Sequence, residues 1–306
     1  MNLCFIGVGS IAMRHIHNLR DLYGVGVNIT ALRSGKGRPL DKEEEGLIDR
    51  TIFNYEDMTD YDAIFITNPT SMHYETIMRT IDRSDAFFVE KPAFVSDSVD
   101  CGTFDKNGKL FYVACPLRYS NVIEYLKENL NISKVYSVRC ICSSYLPEWR
   151  PGTDYRRSYS ASRELGGGVS IDLIHEWDYL TYLFGFPRDV KSIITKKSAL
   201  EIDSDDMAVY IAEYQGFVTE LHLDYFGRSA MRKLEIFSED DTIICDLIGQ
   251  SIEFTREGRR IDLGGSRDEY QKKELEHFMR IVKRETESDN DLKHACRTLR
   301  LAGGKI

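Results

Sequence analysis

Apolar positions change their period along the chain. Leu3–Ile6, Val27–Leu32, Asp62–Thr67, Ala86–Val89 and Leu110–Ala114 are mostly apolar runs of strand length, separated by turn-forming or polar residues. Between the first two, Ile11, His15, Leu19 and Leu22 repeat at helical spacing and predict a helix to about Tyr23, with His15 and His17 at solvated or half-buried positions. Further helices are expected over 71–81 and 96–106, the latter followed by a turn at Asn107-Gly108. The charge run Asp41–Glu45 reads as a solvated loop or helix start. Strands alternating with helices predict a parallel, doubly wound sheet over residues 1–118, an α/β domain of Rossmann type.

The second half has a different rhythm. A connecting helix over Asn121–Asn129 and an alternating strand over Lys134–Tyr145 lead into a long polar loop, from Pro147 to Arg163, of a length that points to function. Gly166-Gly167-Gly168 then opens an amphipathic helix through Leu183. From Val190 to Leu263, strand-like runs separated by Asp-Ser-Asp, Gln-Gly, Glu-Asp-Asp, Gly-Gln and Glu-Gly turns predict an open, mainly antiparallel sheet. Helices over 269–283 and 291–301 complete an α+β domain spanning 119–306. So long a sheet with so few helices leaves one face apolar and uncovered, which predicts a homodimer or homotetramer formed through it.

The first strand runs straight into Gly7-Val8-Gly9-Ser10-Ile11-Ala12. In this arrangement Gly7 permits a tight turn, Gly9 lets the backbone approach a pyrophosphate, and Ala12 is small enough for helix to pack on strand. Backbone N–H groups at the helix start, around Ser10 and Ile11, then face the phosphates. The second strand ends in Arg33-Ser34-Gly35-Lys36-Gly37-Arg38, where NAD binders usually carry a carboxylate for the ribose hydroxyls. Cations and a hydroxyl at Arg33, Ser34 and Arg38 suit a 2′-phosphate, so NADP is the expected cofactor ahead of NAD.

Composition narrows the partners. With 42% apolar and 29% charged residues and a net charge of −9, the chain reads as a globular protein that binds neither nucleic acid nor an anionic membrane. No run is long enough to cross a bilayer, and the first strand begins too early for a signal peptide, so a cytoplasmic location is expected. Seven cysteines are scattered without a Cys-x-x-Cys pair, and no metal site is expected. Cys140 and Cys142 share a strand face as packing residues.

Taken in order, Gly7-Val8-Gly9-Ser10-Ile11-Ala12, Thr67-Asn68-Pro69 with His73, Glu90-Lys91-Pro92, and Gly166-Gly167-Gly168 followed by Asp172 and His175 resemble the motif series of the Gfo/Idh/MocA oxidoreductases, the glucose–fructose oxidoreductase and inositol dehydrogenase family. The resemblance implies a dinucleotide domain followed by an α/β domain with an open sheet, and hydride transfer between NAD or NADP and a sugar or cyclitol carbon. It places Thr67, Asn68, Pro69, His73, Glu90 and Lys91 at the cofactor, and Lys91 also at the substrate hydroxyl.

Such a reaction needs a group that takes or gives the hydroxyl proton. His175 is that group by its pKa range, and Asp172, three residues earlier, can orient it on a shared helix face. The family pattern spaces Asp and His by four, so Glu176 and Asp178 are further candidates for the partner of His175. Arg118, Trp149, Arg150, Tyr155, Arg156 and Arg157 are candidates for sugar or phosphate contacts. Two other classes of function fit the same motifs: a redox-neutral enzyme with tightly held NAD(P), and a non-catalytic nucleotide-binding regulator.

Overall fold

The computed structural model describes residues 1–96, 98–99, 101–105 and 108–306. They form two compact units, residues 1–116 with 267–296, and residues 117–266 with 297–306.

The first unit carries β1 (Asn2–Ile6), α1 (Ser10–Tyr23), β2 (Asn28–Leu32), α2 (Lys42–Gly46), β3 (Arg50–Ile52), β4 (Ala63–Ile66), α3 (His73–Thr80), β5 (Ala86–Val89), α4 (Gly102–Asp105) and β6 (Leu110–Val113). Its six strands are all parallel, in the order β3-β2-β1-β4-β5-β6. The order reverses between β1 and β4, which opens a crevice at their carboxyl ends. β3 was not foreseen, because only three residues pair and just Ile52 is buried. The charge run is a helix start, with Asp41 and Glu44 forming a reciprocal capping box on α2. Of the helix expected over 96–106, Gly102–Asp105 is helical; Asp97, Asp100, Lys106 and Asn107, the last with its half of the expected Asn107-Gly108 turn, lie outside the described residues.

The second unit carries α5 (Asn121–Asn129), β7 (Val135–Tyr145), α6 (Val169–Asp172), α7 (His175–Phe184), β8 (Asp189–Thr195), β9 (Met207–Glu213), β10 (Val218–Asp224), β11 (Phe226–Ser238), β12 (Thr242–Asp246), β13 (Ser251–Phe254) and β14 (Arg259–Asp262). They make an eight-stranded sheet in the order β14-β13-β12-β11-β7-β10-β9-β8, antiparallel except for β7 beside β10. Its inner face buries Val138, Cys140, Cys142, Tyr210, Leu221, Leu234 and Ile236, and Trp177 of α7 meets Tyr210 edge-on at 5.2 Å. The outer face exposes Tyr136, Ile193, Ile211 and Val218, interspersed with charged residues such as the Arg139–Glu220 pair. This face is therefore mixed rather than uniformly apolar.

Two helices close the chain, α8 (Arg267–Val282) and α9 (Leu292–Ala302). The segment 119–306, expected as one domain, is divided between the units, because α8 returns to the first. Phe278 supplies the physical reason: its ring meets Phe65 and Phe88 edge-on, each at 5.3 Å, within an aromatic core that also stacks Phe5 on Phe65 at 4.4 Å.

The helix expected from Gly166 through Leu183 is broken. α6 ends at Asp172, Leu173 leaves helical geometry at φ −96°, ψ 30°, and α7 begins at His175, while Leu173 and Ile174 turn into the core. Asp172 and His175 thus stand across a break instead of on one continuous helix face.

Candidate functional site

At the crevice of the first unit three loops leave the ends of β1, β4 and β5. Gly7 has φ +86°, and a Cβ there would lie 2.6 Å from the Asn68 Cα, so only glycine lets the two loops touch. Thr67 ties them together by donating its hydroxyl to the Gly7 carbonyl at 2.7 Å. Gly9 caps α1 with no side-chain hydrogen bond, and a Cβ on it would meet nothing within 4 Å. The helix start at Ser10 and Ile11 is therefore open, with Ala12 buried beneath it. Pro69 is exposed and precedes the short turn leading into α3, while Asn68 donates to Thr76 at 2.8 Å.

Glu90 and Lys91 follow β5, with the Lys91-Pro92 bond cis. Glu90 is only 13% exposed; its Oε1 lies 2.6 Å from His15 Nε2, and its Oε2 accepts the Lys91 N–H at 3.2 Å. Burial pushes the Glu90 carboxyl up, but the hydrogen bond and charge of His15, with the charge of Lys91, bring it below the ordinary carboxylate range. His15 is buried, in contrast to the solvated or half-buried helix position expected for it.

At the end of β2, Arg33 donates Nη2 to the Arg38 carbonyl at 2.5 Å, and the Ser34 hydroxyl accepts the Lys36 N–H. Arg38 is clamped by both oxygens of Glu44. Ser10, Arg14, His17, Asn18, Arg38 and Glu44 line one open groove of about 480 Å³ along α1, within the roughly 300–1,000 Å³ of small-molecule sites.

In the second unit the glycine triplet has a steric cause. A Cβ on Gly167 would meet the Tyr159 carbonyl at 2.1 Å, and one on Gly168, at φ +134°, would meet Asp205 Oδ1 at 2.3 Å. Asp205 closes the head of α6 by accepting the Val169 and Ser170 N–H groups, both at 2.9 Å. Asp172 at the other end of α6 is buried and accepts hydroxyls from Tyr159 and, at 2.5 Å, from Tyr225. Burial, and next the charge of Asp172, push both tyrosines well above their ordinary range, so they act as donors. Trp149 packs edge-on against Tyr225 at 5.2 Å and donates to Ser144 at 2.9 Å.

His175 heads α7 and is half-buried. Of the other carboxylates considered as its partner, Glu176 accepts from Arg232 Nε at 2.7 Å, and Asp178 receives Arg118 through Nε and Nη2 at 2.9 and 2.7 Å. Arg118 is 2% exposed, so the candidate for a sugar or phosphate contact lies in the interior, paired with Asp178 and over the Tyr182 ring at 4.9 Å. Tyr155 accepts the Glu201 N–H, and Arg156 is exposed and paired with Asp154 and Glu201.

Within the first unit, then, the glycine turn, Thr67, Asn68, His73, Glu90 and Lys91 cluster at adjacent strand ends; within the second, Asp172 and Trp149 gather around Tyr225. Sequence reasoning missed His15, Glu44, Asp205, Tyr159 and Tyr225. Tyr159 lay in the loop flagged by its length, but no spacing pointed to the Tyr225 pairing across 53 residues.

Among the described residues no group of three or more His, Cys, Asp or Glu side chains could hold a metal, and no helix is long and apolar enough to cross a membrane. Cys101 and Cys296 form a disulfide, a bond that reducing compartments do not ordinarily sustain.

Residues 125–244 match the GFO/IDH/MocA C-terminal domain. The chain is 27% identical over 203 residues to scyllo-inositol 2-dehydrogenase (NADP(+)) IolU of Bacillus subtilis, a match covering 61% of this chain and 58% of that protein. It is 26% identical over 156 residues to 2,7-anhydro-N-acetylneuraminate hydratase of Mediterraneibacter gnavus, covering 49% and 40%. The chain thus spans about half the length of the curated relatives it matches. Among solved structures, UDP-N-acetylglucosamine 3-dehydrogenase GnnA from Acidithiobacillus ferrooxidans superposes with a TM-score of 0.80 over 99% of this chain and 95% of that one, at 19% identity, a likeness of fold.

Proposed function

We propose that this chain, a member of the Gfo/Idh/MocA oxidoreductase family, transfers a hydride between NAD(P) and a carbon of a sugar or sugar derivative, free or nucleotide-linked. The observation that carries the reading is the convergence of Gly7, Asn68 and Lys91 at the ends of β1, β4 and β5, beside the reversal in strand order. The cradle fits a dinucleotide: a glycine with no room for a side chain, an uncapped helix start, and an open approach at Gly9.

The bound nicotinamide supplies the hydride acceptor or donor. Gly9, Ser10 and Ile11 hold phosphate with backbone N–H groups; Lys91 presents its ammonium to the substrate hydroxyl; His175 moves the hydroxyl proton. Asp172 anchors Tyr159 and Tyr225 around the sugar, with Trp149, Tyr155 and Arg156 as further contacts. NADP is the preferred cofactor, a homodimer or homotetramer forms through the outer face of the second unit's sheet, and the protein works in the cytoplasm, where the Cys101–Cys296 bond would be reduced.

A second reading draws support from the hydratase relative: a redox-neutral reaction with retained cofactor. The deciding experiment titrates the purified protein with NADPH and NADH, then follows nicotinamide absorbance across a panel of sugars, cyclitols and nucleotide sugars. Net reduction or oxidation supports the dehydrogenase. Cofactor that survives gel filtration, with substrate consumed and no net absorbance change, supports the second reading.

A further inference from the structure

The turn Glu90-Lys91-Pro92-Ala93 is gripped from two sides by buried histidines. On one side His15 of α1, 1% exposed, meets Glu90 Oε1 at 2.6 Å. As a carboxylate Glu90 only accepts, so both its contacts are N–H donations, from His15 Nε2 and from the Lys91 backbone. Nε2 of His15 therefore carries a proton, and its Nδ1 has no partner among the described residues. Edge-on packing against Phe88 at 5.1 Å, two residues before Glu90, sets the plane of the ring. On the other side His73 of α3, also 1% exposed, lies with Nδ1 3.0 Å from the Ala93 carbonyl and Nε2 3.0 Å from the Asn68 carbonyl. The neutral ring has one N–H to donate, to one of these two carbonyls, and it is wedged between the Lys91 turn and the Asn68 loop that touches Gly7.

We propose that His15 and His73 are positioning residues for Lys91, His15 acting through Glu90 and His73 through the carbonyls of Asn68 and Ala93. Neither ring need touch cofactor or substrate. They fix the backbone from which the Lys91 side chain reaches a reacting hydroxyl, and hydride and proton transfer are sensitive to shifts of that size. The inference rests on the assignment of Lys91 to the reacting end, and it changes the part expected of His73 from cofactor contact to brace.

The test compares His15→Ala and His15→Gln in the full chain; the Gln amide can place an N–H where Nε2 stands. Hydrogen exchange of the segment 88–95 should quicken at least about fivefold in H15A while β1 and β4 are unchanged, and should return to within about twofold of wild type in H15Q. On whichever substrate the panel identifies, kcat should fall about tenfold or more in H15A with KM and cofactor affinity within about twofold, and H15Q should recover most of the loss. Unchanged exchange at 88–95 in a folded H15A overturns the proposal, as does an H15Q no better than H15A. Should H15A fail to fold, His73→Gln and Glu90→Gln carry the same two readouts: loosened 88–95 with a lowered kcat supports the brace, and wild-type values in both overturn it. Faster exchange beside a wild type that turns over nothing would sink the oxidoreductase reading while supporting the brace.

Discussion

Tyr225 donates its hydroxyl to Asp172 at 2.5 Å, and Tyr159 donates to the other carboxylate oxygen, so Asp172 is the anchor of two aromatic side chains. Tyr225→Phe leaves a buried carboxylate oxygen short of a donor, which costs about 1–3 kcal/mol. Denaturant unfolding should show that loss, and turnover should fall with it. A Tyr225→Phe protein as stable and active as wild type would remove the Tyr225–Asp172 hydrogen bond as a support of the site.

Lys91→Ala and His175→Ala should each remove most turnover, since a positioned proton-transfer group contributes about 10²–10⁴-fold. Cofactor affinity, set mainly by the glycine turn, should stay close to wild type. Steady-state kinetics beside a binding titration separates the two effects. Turnover untouched by both changes would end the catalytic assignment.

Arg118 is placed to act on stability. Its guanidinium is locked to Asp178 in the interior, and removing one partner of a buried pair costs about 3–5 kcal/mol. Arg118→Ala should therefore lower the thermal midpoint sharply. A stable Arg118→Ala protein with a raised KM would favour the substrate contact expected from the sequence instead.

Apart from β3, the strands of the first unit's parallel sheet were legible because each apolar run has one period, and Gly7 was legible because a turn of that shape admits no other residue. His15 was not, since a histidine on a helix stripe looks the same whether it meets water or Glu90, and Glu90 lies 75 residues away. The break after Asp172 was hidden for a related reason: Leu173 and Ile174 fit an amphipathic helix, and only their burial in the fold shows that the chain turns there. Glu176 and Asp178 were legible as carboxylates near His175, but their pairing with Arg232 and Arg118 is a tertiary fact that no local spacing encodes.

His73 gives the fold a sign in pH. Burial pushes its imidazole below the ordinary 6.5, against the carbonyls of Asn68 and Ala93 and the charge of Glu90, which pull it up. As pH falls the unfolded chain takes up this proton first, so stability is full above about 6.5 and is lost as the pH drops from there toward the lower folded pKa. Unfolding free energies at about pH 8 and about pH 5.5 should differ more in wild type than in His73→Asn. The same pH slope in both proteins would remove His73 as its source.

Cofactor choice turns on the end of β2, where Arg33 and Ser34 stand beside an arginine that is already engaged. The hydrogen bond and charge of Arg38 hold the Glu44 carboxyl down to about 2 against its partial burial, so Glu44 is anionic throughout the working range. A 2′-phosphate at Arg33 and Ser34 gains charge-assisted hydrogen bonds, each worth about 1.5–3 kcal/mol, whereas NAD brings no phosphate for these two residues to hold. Arg38 can join only by leaving Glu44, and that carboxylate also repels the phosphate. Arg33→Ala should therefore weaken NADPH binding about tenfold or more and NADH binding little, while Glu44→Gln should tighten NADPH selectively. Raised salt should shrink both effects, because Arg38 is 53% exposed and the groove is open to solvent. Fluorescence titration of the wild type and both variants with the two reduced cofactors checks each expectation. An Arg33→Ala protein that loses NADH and NADPH equally would make Arg33 a brace of the loop through the Arg38 carbonyl, and a wild type that prefers NADH would overturn the NADP assignment itself.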